Sequence, residues 1–284
     1  MNRYNWILIL IMITGCQVVV DFDIPLEKQK LVVNALINPD STWRVSVSKS
    51  WHILDEGYQA FVPAAVITIT DQHDNLISIL SQERIDEYRS DSKPLPGATY
   101  KLKAEVPGYE TVFAQTNIPH PVPIMDVTVD TIMKDYGYAE VVANIKFNDP
   151  PEKNYYQVYA SVKMIVQLWD PNGMKTDTVT YLYPLYLSQS ELEESAAVFN
   201  DLKFNGTTAK VSVRLNYWPH GTMLEQHIIL LHLNEAYYNY EVTRRLQEQT
   251  QGDPFFAQPV QVFSNITNGM GIFAGCAGYS YELQ

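Results

Sequence analysis

The chain of 284 residues has only two cysteines, Cys16 and Cys276. With no Cys-x-x-Cys pair it has no zinc ribbon or thiol-exchange motif, and a disulfide framework cannot be its main source of stability. Long hydrophobic runs are also missing at the start, where one would mark a membrane span. Trp6 to Ile13 is continuously apolar over eight residues, whereas a spanning helix needs about 20. Positive charge is short as well: 20 Lys and Arg stand against 32 Asp and Glu, a net charge of −12. Such a balance argues against nucleic acid as a partner and against adhesion to anionic lipid surfaces.

Catalytic signatures are equally scarce. No Gly-x-Ser-x-Gly elbow occurs, and Ser280 in "AGYSYEL" lacks the second glycine. His-Glu-x-x-His is absent among six histidines. His227 and His232 lie an odd number of residues apart on an apparent strand, so they face opposite sides and cannot share a metal. His52, beside Trp51, reads as a surface residue. "DQHDN" at Asp71 to Asn75 offers two carboxylates and an amide but no alternating ladder or closing glutamate, so a hairpin turn accounts for it better than calcium does. The three glutamates of "ELEES" read as a solvated helix face. Cys276, in "GIFAGCAGYSYEL", reads as a buried, inert thiol. The sequence therefore predicts no enzyme, no metal and no cofactor.

What the chain does have is apolar and aromatic residues, 46% and 12%, with 19 tyrosines and 16 prolines. That is ample for buried cores and favours strands and turns over helices. The opening run follows Arg3 and ends in Ile13-Thr14-Gly15-Cys16. A short apolar core after a positive start is a secretory signal, and small residues before a cysteine resemble the lipobox of bacterial lipoproteins. Residues 1–15 are thus expected to be a lipoprotein signal peptide, with Cys16 the lipidated residue. Two acyl chains hold a protein stably to a membrane. Residues 16–27 read as a tether.

From Lys28 onward the period is two. In "ATYKLKAEV", Ala98, Tyr100, Leu102, Ala104 and Val106 face one way while Thr99, Lys101, Lys103 and Glu105 face the other. "DQHDN", "PLPG" and "VPGYE" punctuate the runs. Residues 28–120 are expected to form an Ig-like or transthyretin-like β-sandwich of about seven strands, ending near "NIPHPVP". Residues 121–284 are expected to form a second, antiparallel β-rich domain. Its strands are "IMDVTVDTI", "NYYQVYASVKMIVQLW", "KTDTVTYLYPLYL", "AKVSVRLNYW" and "EQHIILLHL". Its one substantial helix lies near 235–249, capped by Asn234, striped by Ala236, Tyr240, Thr243 and Leu246, and stopped by Gly252 and Pro254. "SQSELEESAAVF" reads as a short, weak helix.

Two surface features stand out. Tyr155, Tyr159 and Trp169 share the less apolar face of one long strand, and Tyr136, Tyr138, Tyr217 and Trp218 lie elsewhere. Aromatic faces stack on sugars and dominate protein interfaces, which makes the three a candidate binding surface; cross-strand packing under the helix is the reading favoured over it. Asp40-Ser41-Thr42, Asp130-Thr131-Ile132 and Asp177-Thr178-Val179 are similar to the acceptor for O-glycosylation of exported Bacteroidetes proteins, making Ser41, Thr131 and Thr178 candidate sites.

The lipobox, "KLVVNALI", "AAVITITD", "PGATYKLKAEVPGYE", "NYYQVYASV" and "VFSNITNGMGIFAGCAGYSYEL", in that order, resemble the Bacteroidetes lipoprotein family catalogued as domain of unknown function 4249. The resemblance covers essentially the whole mature chain. It implies an outer-membrane lipoprotein of a Gram-negative cell, encoded beside TonB-dependent receptors, with no activity and no catalytic residues to transfer. Surface-displayed lipoproteins of that phylum often carry an acidic run directly after the cysteine. Here Gln17 to Val20 precede Asp21 and Asp23, which leaves open whether the protein occupies the periplasmic or the surface face. The expected role is a non-enzymatic binding or accessory subunit beside a TonB-dependent transporter. The alternative is a stand-alone lipid-anchored glycan-binding protein or hydrolase.

Overall fold

The computed structural model describes residues 28–51, 61–62, 64–133, 139–170, 173–188, 198–215, 222–250 and 260–283. The expected signal peptide, Cys16 and the expected tether therefore lie outside the described residues, as do His52, Tyr136, Tyr138, Tyr217, Trp218, Gly252 and Pro254. Most of the expected weak helix at 188–199 falls outside them too; its last residues, Val198 and Phe199, begin a short strand.

Seven strands form in the first part of the chain, where alternation demanded them: β1 (Leu31–Ile37), β2 (Arg44–Lys49), β3 (Val66–Asp71), β4 (Leu76–Gln82), β5 (Glu87–Arg89), β6 (Thr99–Glu105) and β7 (Val112–Asn117). Tyr100, Leu102 and Ala104 point inward as their spacing requires. They meet Val33, Val47, Ile67 and the fully buried Trp43, whose ring stands edge-on to Tyr100 at 4.9 Å. The layers are β1-β2-β5 and β4-β3-β6-β7, joined through a short β4–β5 pairing. This is a β-sandwich.

The second part is built from longer strands: β8 (Ile124–Met133), β9 (Ala139–Asn148), β10 (Tyr155–Asp170), β11 (Gly173–Pro184), β12 (Tyr186–Leu187), β13 (Val198–Asn200), β14 (Thr208–Arg214) and β15 (Thr222–Leu233). Helix α1 (Glu235–Thr250) and β16 (Met270–Glu282) follow. The sheet β12-β14-β9-β8 covers one face of β11-β10-β15-β16. Between them lies a core of Ile145, Phe147, Tyr156, Val158, Val162 and Leu230. Helix α1 covers the other face. Among the described residues no helix is long and apolar enough to cross a membrane.

Strand β16, from the expected second domain, pairs on both sides of residue 120. It pairs in parallel with β1, from Val32 with Met270 to Ile37 with Gly275. Further along it pairs antiparallel with β15, from Leu233 with Cys276 to His227 with Glu282. Along one face of β16, Phe273 and Ala277 belong to the first core, while Tyr279 and Tyr281 pack on the second. The opposite face gives Ile272, Ala274 and Cys276 to the cluster beneath α1. The last strand is thus a structural part of both units.

Two glycines make this arrangement fit. Gly271 has φ +111°, and a Cβ there would sit 2.1 Å from the Val33 carbonyl oxygen. At Gly275 a Cβ would lie 2.4 Å from the Asn117 carbonyl oxygen, where the chain leaving β7 crosses the strand.

The cap of α1 is as expected: Asn234 Oδ1 accepts from the Tyr237 N–H at 2.9 Å. The amide of Asn234 also donates to Thr116 Oγ1 at 2.7 Å and to the Asn117 carbonyl at 3.0 Å, so one side chain starts the helix and ties it to the first sandwich. The expected stripe is displaced. Tyr237 and Glu241 are the buried residues, whereas Leu246 is 45% exposed. Glu241 tolerates burial because Arg244, at 2.9 Å, and Arg245 supply opposite charge.

Candidate functional site

Strand β10 carries all three residues of the expected aromatic surface, yet their surroundings change along its length. Tyr155, at the root, is buried. Its ring stacks on Tyr238 of α1 at 4.4 Å, its hydroxyl donates to Glu235 at 2.8 Å, and the Lys153 ammonium lies over the ring at 5.1 Å from its centre. Tyr159 is half-buried in the neighbourhood of Glu241, Arg245 and Cys276, and burial raises its pKa. Trp169, near the far end, is 83% exposed and sits across from Met174 of β11. The three do not form one surface. Helix α1 covers the first two because it crosses the root of the strand, and only Trp169 remains available to a partner.

The other expected sites are scattered. Ser41 lies in the turn after β1, Thr131 on β8 and Thr178 on β11, and all three are exposed. The Asp71 carboxylate is consumed by its own hairpin, accepting from the backbone N–H of His73 at 2.8 Å and of Asn75 at 2.9 Å. These bonds hold its pKa below the usual carboxylate range, the Asn75 side-chain amide contributing most. Cys276 is buried, and burial pushes its thiol up to about 12, so it stays protonated and unreactive.

A polar cluster that sequence patterns missed lies at the root of β10. The loop "NDPPEKN" between β9 and β10, dense in proline and amides, was its only signal. Asp149 accepts from the Tyr156 hydroxyl at one oxygen and from the Gly206 N–H, at 2.9 Å, at the other. Asp201 accepts from the Asn154 N–H at 2.6 Å, while its Oδ1 is buried without a hydrogen-bond partner among the described residues. Asn154 donates through its amide to the carbonyls of Pro150, at 2.9 Å, and Glu152, at 2.6 Å. Turning that amide would break both bonds, so its oxygen must face His232 Nε2, at 2.9 Å. His232 Nδ1 faces the His120 carbonyl at 2.8 Å. A neutral imidazole donates from one nitrogen only, so a proton on the second would complete this network. Burial opposes that proton and is the larger effect, lowering the pKa of His232, while the His120 carbonyl and the charges of Asp149, Glu152 and Asp201 work against it.

Chemically the cluster is a brace, with its carboxylates turned inward and closed by Tyr156, whose ring stacks on His232 at 5.2 Å. Among the described residues no group of three or more His, Cys, Asp or Glu is placed to hold a metal ion.

Fold and site define a mainly β protein of two cores sharing a strand, with one covering helix and a polar brace between its parts. The family profile named domain of unknown function (DUF4249) matches residues 19–282, and the chain belongs to that family. No curated protein matches it.

Proposed function

We propose that the protein is an outer-membrane lipoprotein of a Bacteroidetes cell, anchored through Cys16, that serves as a non-enzymatic binding or accessory subunit beside a TonB-dependent transporter. The observation that carries this reading is Ile13-Thr14-Gly15-Cys16 at the end of an eight-residue apolar run that follows Arg3. The family match begins at residue 19, just beyond that cysteine. The first sandwich acts as a spacer. The partner surface is the free end of the β10–β11 hairpin, where Trp169 and Met174 stand exposed across from each other.

Affinity purification of the tagged protein from its native membrane tests the role. Stoichiometric recovery of an outer-membrane barrel is the expected result. Recovery of the lipoprotein alone, repeated in mild detergents, would sink the accessory role. It would favour the second reading, a solitary glycan-binding protein or hydrolase, for which the exposed indole of Trp169 is the specific support; a glycan array would then decide. Ser41, Thr131 and Thr178 are exposed acceptors for O-glycosylation in the same proposal. An intact mass of the native protein without hexose-sized additions would remove them.

A further inference from the structure

One end of the first sandwich gathers the start of β1, the end of β2, the β6–β7 turn and the entry to β16. Ser50 fixes Lys30 there, donating its N–H to the Lys30 carbonyl at 2.8 Å and accepting the Lys30 N–H at 2.9 Å on its hydroxyl. Asn268, with φ +61°, donates its amide to the Thr111 carbonyl at 3.2 Å. Between these turns lies a cleft of about 360 Å³ lined by Lys28, Lys30, Tyr109, Glu110 and Asn268 among others, a volume within the range of ligand sites. Lys28 and Lys30 are exposed and neither makes an ion pair among the described residues. Among the described residues of the lining Glu110 is the only carboxylate against two lysines, so that lining is cationic in a chain of net charge −12. Beside it stand the exposed apolar side chains of Trp51, which follows Ser50, and Met270, which opens β16.

We propose that this cleft binds the phosphate-bearing headgroups of the membrane that holds Cys16, giving the protein a second foothold on the bilayer. The inference rests on the anchor reading. The occupant follows from where the chain arrives: eleven residues separate Cys16 from Lys28, a reach of at most about 43 Å, and the cleft opens beside the point where that segment joins the described body. Lysines with neighbouring aromatic and apolar side chains suit the headgroup layer, which is apolar on one side and charged on the other. The net negative charge opposes adhesion of the body as a whole, and the two lysines, without an ion pair among the described residues, make this end the local exception. Strand directions then set the posture. From Met270, at the foot, β16 runs away from the cleft to Glu282, which pairs with His227 of β15. Ile165 pairs still farther along with Thr222, so Trp169 stands at the end of the body remote from the cleft.

The test uses the full acylated protein, with intact mass confirming the acyl chains on Cys16. It is placed in a neutral detergent, in phosphatidylcholine vesicles, or in vesicles containing phosphatidylglycerol, and amine labelling is followed lysine by lysine. Lys28 and Lys30 are expected to react about fivefold more slowly on the anionic vesicles than in detergent, with Lys175 on the remote hairpin unchanged. A Lys28→Gln, Lys30→Gln variant, altered only at exposed positions, should lose the parallel slowing at neighbouring Lys49. Equal rates in detergent and on vesicles, with acylation confirmed, would overturn the foothold. So would equal slowing by millimolar inorganic phosphate in detergent, which would make this a site for a soluble anion. A mass without acyl chains would overturn the anchor itself, by a readout independent of the labelling.

Discussion

The root and the free end of β10 share a backbone conformation and little else. At the root, Tyr155, Tyr156 and Gln157 are all buried, although a strand ordinarily hides alternate residues. A helix covers one face there and a second sheet the other. Toward the free end Gln167, Leu168 and Trp169 are all exposed. One strand thus passes from a three-layer interior to an edge with solvent on both sides. Aromatic residues at the root hold the fold, and the same residue types at the free end have no structural work that would keep them there. Composition alone does not separate the two cases; the position of α1 does.

The sharpest way to break this contrast is to strike where root and first sandwich meet. Gly275→Val forces a side chain onto the Asn117 carbonyl, and the expected loss exceeds about 4 kcal/mol. Circular dichroism and limited proteolysis should find no cooperative fold; a normal melt would mean that the crossing at Asn117 yields easily. Next comes Tyr156→Phe, which keeps the ring but leaves Asp149 without its hydroxyl donor. A buried carboxylate deprived of one donor costs about 1.5–3 kcal/mol, readable in urea unfolding, and an unchanged midpoint would show that water replaces the hydroxyl. Smaller still is a pH effect at His232. Its pKa is depressed in the folded chain, so below 6.5 the unfolded chain binds the extra proton. The stability present above that value is therefore lost as pH falls through it, by about 1.4 kcal/mol per unit at most. His232→Gln should flatten the dependence between pH 7 and pH 5, and an identical slope in both proteins would assign the effect to other groups. At the free end, Trp169→Ala should change stability by no more than about 0.5 kcal/mol while abolishing co-purification of the barrel. A large drop in melting temperature would make Trp169 a structural residue and erase the contrast.

The strands were legible because their alternation is local: "ATYKLKAEV" reads inward and outward in the structure as it does on paper. The helix start was legible because Asn234 caps through a bond three residues long. The stripe of α1 was not, since burial there depends on β16 and the Phe263 segment, whose N–H meets Thr243 Oγ1 at 2.8 Å. Nor was the sharing of β16. Its partner β1 lies about 240 residues away, and parallel pairing over that separation leaves no mark in either segment beyond the small residues of "GMGIFAGCAG". Alternation places Tyr155 and Tyr159 opposite the apolar face, as they are, and packing under the helix is the reading favoured for that face; alternation does not say that the helix stops short of Trp169.

The shared strand has a consequence for biogenesis. A chain synthesised from its N-terminus presents β1 first and β16 last. Until those final residues emerge, β1 lacks a neighbour on one edge, and the first core lacks Phe273 and Ala277. The sandwich that is made first is thus the one that cannot be finished early. In that interval the newborn protein offers an adhesive β-edge to its surroundings, and a chaperone that shields such edges would gain the most from acting on it then.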